Sequence, residues 1–382
     1  MNRSIETKCV HGTEHKFQDG FRAITFPLYQ TAAFSHLEPG HNESGHDYTR
    51  LSNPTRQYLE ETVSALENAY GSIAFSTGMA AISACFELLA PGDHIICSED
   101  LYGGVVLYFN TIGAKNQLSV TMVDTGDREA LKAAVQPNTK AIYVESPSNP
   151  MMNVSDIRFC SELAKEIGAL LIVDNTFLTP YFQNPLDLGA DLVVHSGTKF
   201  LGGHNDTLAG FVCCSNAELY DQILRIVQLT GGNLAPFDAW LIQRGIKTLA
   251  IRMERQQATA KAVAQWLAAQ PKVRKVYYVG LPSHPGYELN ASQASGSGSM
   301  ISFAVDSKET ALRVLQNVKV ITFAESLGGP ETLITYPATQ THRDVPEAER
   351  EKLGITDTFL RVSIGLENVD DLIADLQQAM GE

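Results

Sequence analysis

Three polar clusters stand where apolar runs of the chain end: Glu145-Ser-Pro-Ser-Asn149, Asp174-Asn175-Thr176 and His195-Ser196-Gly197-Thr198-Lys199. In open α/β sheets ligands bind beyond the carboxyl ends of the strands, so chemistry is to be sought first in such clusters. Lys199 lies just past an apolar stretch and is followed by Phe200-Leu201-Gly202-Gly203. Removing water from an amine lowers its pKa and frees the lone pair for attack, Schiff-base formation or proton abstraction. Position alone also suits a surface lysine in a strand-to-helix loop, and Asp174 alone suits a helix cap or a metal ligand. Ser76-Thr77-Gly78-Met79-Ala80-Ala81-Ile82 places small residues at the start of a helical pattern. There the free backbone N–H groups and the positive helix end favour a phosphate. The segment has neither Walker A nor GxGxxG spacing, so a nucleotide is not the obvious ligand.

One ligand accounts for all three features together: a phosphate-bearing cofactor with an aldehyde for Lys199 and a ring nitrogen for Asp174, which is pyridoxal 5′-phosphate (PLP). The elements that must position these residues follow from periodicity. Helical spacing covers Glu60 to Ala69, Met79 to Leu89 (stopped by Pro91-Gly92-Asp93), Val105 to Ile112 and Arg128 to Val135, and a further helix runs from the N-cap Asp156 to Ile167. Apolar strands are expected at His94–Cys97, Leu118–Val123, Ala141–Val144, Ala169–Val173, Asp191–His195 and Leu208–Cys214. Strands apolar throughout and separated by helices imply a mostly parallel sheet covered on both faces. After Pro236 a long helical stretch runs from Ala239 past Lys247 to about Ala269. A smaller unit follows, with strands at Val273–Tyr278, Met300–Val305, Val318–Phe323 and Phe359–Ile364 and helices near Glu309–Gln316 and Val369–Met380. Ser292–Ser299 reads as a loop entering a strand.

Composition bounds the rest. A chain of 382 residues, 44% hydrophobic and 19% charged, suits a globular protein of two domains. Its net charge of −14 argues against a nucleic-acid groove or an anionic membrane surface as main partner. Met1 to Lys8 carries Glu6 and no apolar signal core, no run is long enough to span a bilayer, and the six cysteines form no CxxC pair, so a reducing cytoplasm is expected. His11 and His15 could share a helix face as metal ligands, but Gly12 and polar surroundings favour solvated loop histidines, and no metal site is expected.

The chain resembles the trans-sulfuration (Cys/Met metabolism) family of fold-type I PLP enzymes along essentially its whole length. The resemblance rests on Tyr48-Thr-Arg-Leu-Ser-Asn-Pro-Thr-Arg56, the Ser76–Ile82 segment, Asp100-Leu-Tyr-Gly-Gly104, Glu145-Ser-Pro-Ser-Asn-Pro150, Val173-Asp-Asn-Thr176, His195–His204, Ala324-Glu-Ser-Leu-Gly-Gly329 and Arg361-Val-Ser-Ile-Gly365. It implies a mostly parallel seven-stranded sheet with a smaller α/β C-terminal domain, divided into an N-terminal arm (1–46), a PLP-binding domain (47–246) and a C-terminal domain (247–382). It also implies roles. Lys199 carries the cofactor covalently and then shuttles protons; Asp174 keeps the ring nitrogen protonated; Tyr102 stacks on the ring. The amides of Gly78 and Met79, with Ser196 and Thr198, hold the phosphate, joined by Tyr48 and Arg50 reaching across from a neighbouring subunit. Asn149 lies near the ring hydroxyl and the substrate, Arg361 grips the substrate carboxylate, and Ser326 and Glu325 face the substrate. A homo-oligomer follows, a tetramer built as a dimer of active dimers.

Within the family the reaction turns on few residues. Methionine γ-lyases usually carry a cysteine where this chain has Gly104, which counts against that activity. Glu325 is common in enzymes working at Cγ of a long amino acid and usually absent from β-lyases; a carboxylate there could receive a substrate ammonium, or stand as a solvated loop glutamate. The segments Gly203–Gly210, Tyr278–Pro285 and Leu333–His342 look most like γ-synthases. The expected reaction is therefore γ-replacement on an O-acyl-L-homoserine by L-cysteine giving L-cystathionine. Cleavage of cystathionine by a γ- or β-lyase, and an O-acetylhomoserine sulfhydrylase, stand as alternatives, although the chain is short for the last. Gly329-Pro330 departs from the usual pattern beside the substrate loop.

Overall fold

A computed structural model describes residues 3–12, 22–340 and 347–381. Seven strands form the larger sheet: β1 (Gly71–Phe75), β2 (His94–Ser98), β3 (Ser119–Val123), β4 (Thr139–Glu145), β5 (Leu170–Asp174), β6 (Leu192–Ser196) and β7 (Gly210–Cys214). Their order is β1-β7-β6-β5-β4-β2-β3, and β7 alone runs against its neighbours. The apolar strands pack on both faces, as a parallel sheet between helices requires. Ile142, Val144, Leu171, Val173, Val193 and Phe211 belong to one core cluster, while Tyr143, Ile172, Val194 and Val212 belong to the other.

The smaller sheet holds β8 (Val273–Tyr277), β9 (Met300–Val305), β10 (Thr322–Phe323), β11 (Leu333–Thr335) and β12 (Phe359–Ser363), in the order β10-β11-β12-β9-β8. It is mostly antiparallel, with β10 and β11 the parallel pair. The helices Leu249–Ala268, Lys308–Asn317 and Val369–Met380 cover it through a third core cluster. No helix among the described residues is long and apolar enough to cross a membrane.

Several elements differ from the sequence-based expectation. The first long helix begins at Pro54, not Glu60, because Asn53 caps it by accepting from Thr55 N and Pro54 takes the first turn. The expected helix Met79–Leu89 spans Gly78–Phe86. The expected helix Val105–Ile112 is an α-helix only over Gly103–Tyr108 and continues as a π turn over Phe109–Gly113. The stretch from Ala239 to Ala269 is two helices, Pro236–Ile246 and Leu249–Ala268. The expected strand Val318–Phe323 shrinks to Thr322–Phe323, because the amides of Lys319, Val320 and Ile321 turn inward onto the buried Asp375 carboxylate at 2.8–3.0 Å. Elements not anticipated include β1, β11 and the helices Ile5–His11, Ala217–Thr230 and Tyr287–Gln293. His11 lies in the helix Ile5–His11, while His15 and His342 fall outside the described residues. All six cysteines are free and buried.

Candidate active site

The carboxyl ends of the central strands face a cavity of about 230 Å³, closed from the other side by the loop 324–327 and by β12. Every strand end picked out by its polar cluster contributes to it. From β6 the chain turns at Ser196-Gly197-Thr198, with Lys199 N donating to Ser196 O at 3.2 Å, and the turn is fixed beneath by the buried Arg252, whose Nη1 donates to Phe200 O at 2.7 Å. The Lys199 amine points into the cavity and donates to Ser326 Oγ at 2.9 Å. Burial, helped by the nearby Arg361 charge and opposed by Glu325, brings its pKa from 10.5 to about 8.

Asp174 closes β5, and its Oδ1 accepts from Thr176 N at 2.9 Å, with Tyr143 O–H at 3.4 Å from Oδ2. In register beside it stands Glu145, the last residue of β4. Burial raises both carboxyl groups above the ordinary carboxylate range; Thr176 opposes the rise at Asp174, and the Asp174 charge adds to it at Glu145. Two buried carboxyl groups side by side are best served by a positive partner, which a protonated pyridine nitrogen provides. Glu145 Oε1 also accepts from Tyr102 N at 3.0 Å and so fixes the start of the segment bearing the Tyr102 ring. A Cβ at Gly104 would stand 2.5 Å from Tyr102 Cε1, so the glycine lets that ring lie close against its own helix.

The helix Gly78–Phe86 begins at the cavity wall. Thr77 caps it by accepting from Ala80 N at 3.0 Å, while the amides of Gly78 and Met79 belong to the first turn and have no intrahelical acceptor. Ser196 packs against Gly78, where a Cβ would come within 3.0 Å of the Ser196 Cβ. Gly210 is as tightly placed: its Cβ would be 2.1 Å from Thr77 O. Thr198 lines the same end, its hydroxyl accepting from Ala209 N at 3.0 Å.

The opposite end belongs to Arg361, in β12 and only 2% exposed. Nη1 donates to Asn149 Oδ1 at 2.7 Å, and Nη2 donates to Thr335 Oγ1 at 3.2 Å and Ser326 O at 3.3 Å. Among the described residues Nε has no partner, and none of these contacts is to a carboxylate. Burial lowers the guanidinium pKa to about 10, with Glu325 acting the other way. Glu325 itself is exposed at the rim. Ser326 has φ of 137°, a region L-residues seldom enter, and is held by its hydroxyl on Lys199 and its carbonyl on Arg361.

The cavity therefore gathers Gly78, Met79, Tyr102, Asn149, Asp174, Ser196, Thr198, Lys199, Glu325, Ser326 and Arg361, while Tyr48 and Arg50 do not line it. Those two lie in a separate surface hollow with Thr31 and Asn233; Arg50 Nη1 donates to Gln228 O, and Tyr48 is 46% exposed. Sequence reasoning passed over Glu145, Thr176 and Thr335 as individual site residues. Glu145 carried the same signal as Asp174, an acid ending an apolar strand. PLP fits the arrangement: a desolvated amine, paired buried carboxyl groups, an aromatic ring and a helix N-terminus flanked by hydroxyls lie around one cavity.

Known proteins share this sequence and fold. The chain is 47% identical to the cystathionine gamma-synthase of Haemophilus influenzae (94% of this chain, 92% of that protein) and 43% identical to the cystathionine beta-lyase of Bacillus subtilis (100% and 97%). Its structure superposes on the cystathionine gamma-lyase of Lactobacillus plantarum complexed with L-serine with a TM-score of 0.96 at 39% identity, covering 99% of each chain. A family model described as Cys/Met metabolism PLP-dependent enzyme matches residues 6–381. With this match over the whole fold and a desolvated amine, paired carboxyl groups and a helix N-terminus around one cavity, the chain belongs to the Cys/Met metabolism family of PLP-dependent enzymes, whose relatives here make and cleave carbon–sulfur bonds.

Proposed function

We propose that this enzyme is a cystathionine gamma-synthase, which joins the sulfur of L-cysteine to Cγ of an O-acyl-L-homoserine and releases the carboxylic acid. The observation that carries the reading is a carboxylate at the rim beside the carboxylate-binding end of the cavity. Ser326 joins the Lys199 amine to the buried Arg361 guanidinium, and the exposed Glu325 carboxylate stands next to it at the rim, near enough to act on both charges. That grouping suits an amino-acid substrate held by its α-carboxylate, with a second ammonium group at the mouth.

PLP, when bound, supplies an aldehyde for the substrate amine and a ring that takes up the electrons left when protons depart from Cα and Cβ. Lys199 is its attachment point. Asp174 holds the proton on the ring nitrogen, Tyr102 covers the ring, and the amides of Gly78 and Met79 with Ser196 and Thr198 hold the phosphate. Arg361, steadied by Asn149, presents its fork to the substrate α-carboxylate. With a pKa of about 8, Lys199 has an appreciable neutral fraction near neutral pH, and its flexible stem lets one amine take the proton from Cα and then from Cβ. The acyl oxygen leaves Cγ with its electron pair, and the cysteine sulfur forms the new bond at the same carbon. Glu325 pairs with the ammonium of the incoming cysteine, which makes its attack nearly intramolecular and favours replacement over loss of a keto acid. Tyr48 and Arg50, exposed and away from their own cavity, serve the phosphate of a neighbouring copy, so the working unit is at least a dimer.

The test is to incubate the holoenzyme with O-acetyl-homoserine, O-succinyl-homoserine or cystathionine, each with and without cysteine. Cystathionine should form from an ester only when cysteine is present. No cystathionine from either ester, with ready cleavage of cystathionine, replaces the synthase reading by a lyase.

A further inference from the structure

The face of the large sheet opposite the cavity holds a buried polar cluster that the chemistry does not touch. Side chains alternate along a strand, so Asp174 and Ser196 face the cavity while their neighbours Asn175 and His195 point to the far side. There both meet one carboxylate oxygen: Glu67 Oε1 lies 2.6 Å from His195 Nε2 and accepts from Asn175 Nδ2 at 2.9 Å. Asn184 Nδ2 approaches Glu67 Oε2 at 3.4 Å. The cluster extends to the end of β4, because Gln183 Nε2 donates both to Asn175 Oδ1 and to Ser146 O at 3.0 Å. Glu67, Asn175 and His195 are all 0% exposed.

Stability alone gives this glutamate little reason to be there. It occupies the last residue of the helix Pro54–Glu67, where the helix dipole disfavours an acid. A buried ion pair is often no better for stability than a well-packed apolar pair. What the carboxylate does do is bind the ends of two adjacent strands, one bearing Asp174 and the other leading through Ser196 to Lys199.

We propose that Glu67 is a positioning residue for the cofactor: from beneath the sheet it sets the ends of β5 and β6 relative to each other, and so the spacing of Asp174, Ser196 and Lys199 above. The proposal rests on the assignment of those three residues to PLP and is independent of which reaction the enzyme catalyses. A ligand that binds only the folded state raises the melting temperature according to its affinity, so the gap between holo- and apoprotein reports cofactor binding separately from stability. Glu67→Gln should weaken PLP affinity at least tenfold in titrations of the apoprotein and narrow that gap. Asn175→Ala and His195→Gln should each do the same in smaller measure, and neither should add its full effect to Glu67→Gln. If Glu67→Gln fails to fold, the other two variants carry the same test. Equal lowering of both melting temperatures with unchanged affinity overturns the proposal and leaves a structural pair. Lys199→Ala, run in parallel, separates the two readings: affinity unchanged there overturns the site assignment, whereas affinity lost there and kept in the far-side variants overturns the positioning role alone.

Discussion

Replacing Lys199 by methionine should stabilise the apoprotein at neutral pH, and the gain should fade in alkali. Burial and the Arg361 charge lower the Lys199 pKa from 10.5 to about 8, so folding disfavours its charged form. Below pH 8 the amine is protonated in both states, and the full penalty of about 3 kcal/mol is present, at about 1.4 kcal/mol per pH unit of difference between the two values. Between pH 8 and 10.5 the unfolded chain binds more protons than the folded one, so the stability of the wild type rises with pH through that window. At pH 10 less than about 1 kcal/mol of the penalty remains. Methionine matches the lysine stem in bulk and removes the charge, at the cost of the hydrogen bond to Ser326, about 1 kcal/mol at every pH.

The variant should therefore exceed the wild-type apoprotein by about 2 kcal/mol at pH 7 and roughly equal it at pH 10. Denaturant unfolding of both apoproteins at one protein concentration, at pH 7, 8, 9 and 10, measures the difference, and titrations common to both cancel. A difference that does not change with pH, or a variant less stable than wild type at pH 7 and no better elsewhere, refutes the claim that Lys199 is held desolvated. The same variant should bind PLP weakly and turn over no substrate.

Three further outcomes are expected. Asp174→Asn should cost at least about a hundredfold in kcat/KM while circular dichroism and melting temperature stay near wild type, because a neutral partner no longer keeps the ring nitrogen protonated; wild-type turnover removes Asp174 from the mechanism. Gly210→Ala should destabilise by about 1–3 kcal/mol and weaken PLP binding, since its Cβ meets the Thr77 carbonyl 2.1 Å away and must push the Thr77-Gly78 turn, proposed to hold the phosphate, aside; a melting temperature and an affinity both unchanged refute this. Glu325→Ala should raise the cysteine KM by no more than about fivefold and increase the ratio of 2-oxobutanoate to cystathionine, with PLP binding normal and the effect shrinking in high salt, because an exposed ion pair is worth at most about 1 kcal/mol; unchanged product partition and KM make Glu325 a bystander.

Part of the cavity could be read from the sequence because Glu145, Asp174 and the turn leading to Lys199 end apolar strands, whereas Tyr102, Glu325, Ser326 and Arg361 were reached only through the family resemblance. An acid immediately after Leu-Leu-Ile-Val173, or a lysine four residues after Leu-Val-Val-His195, has no place in a packed core and marks where the core stops. Elements with weak local signals were harder to see. β1 begins with Gly71 and is five residues long between two helices, and what makes it a strand is its antiparallel pairing with β7, a contact between residues far apart in the chain. The segment Val318–Ile321 reads as a strand by composition, yet Asp375, more than fifty residues away, draws its amides out of the ladder. The far-side cluster was invisible for the same reason: Glu67 looks like any glutamate at a helix end until the fold brings His195 and Asn175 to it.

The two ends of the cavity are built differently, and this explains why similarity over the whole chain does not select one reaction. Lys199, Asp174 and Arg361 stand on or next to buried strands, and their partners are fixed by the register of the sheets. Such residues can serve any member that uses PLP and an amino-acid carboxylate, synthase or lyase alike. Under the proposed reading, what happens at Cγ depends on the loop 324–329, which lies between the short strands β10 and β11. That loop is held at its two ends by Thr335 Oγ1 donating to Ala324 O and Gln256 Nε2 donating to Gly329 O, and within it Gly328, at φ of 81° and with no room for a Cβ beside Phe200 N, donates its N–H to Ser363 Oγ at 2.9 Å. Ser326 keeps a φ of 137°, a strain of about 1–3 kcal/mol, through its contacts to Lys199 and Arg361. Glu325 sits one residue away and is exposed. A change at 325 therefore disturbs no core packing, while the neighbouring Ser326 ties its position to both the amine and the carboxylate clamp. Relatives named as synthase and beta-lyase share 47% and 43% of this sequence, and under the proposed reading 325 is a rim position where a change of reaction would cost the fold little.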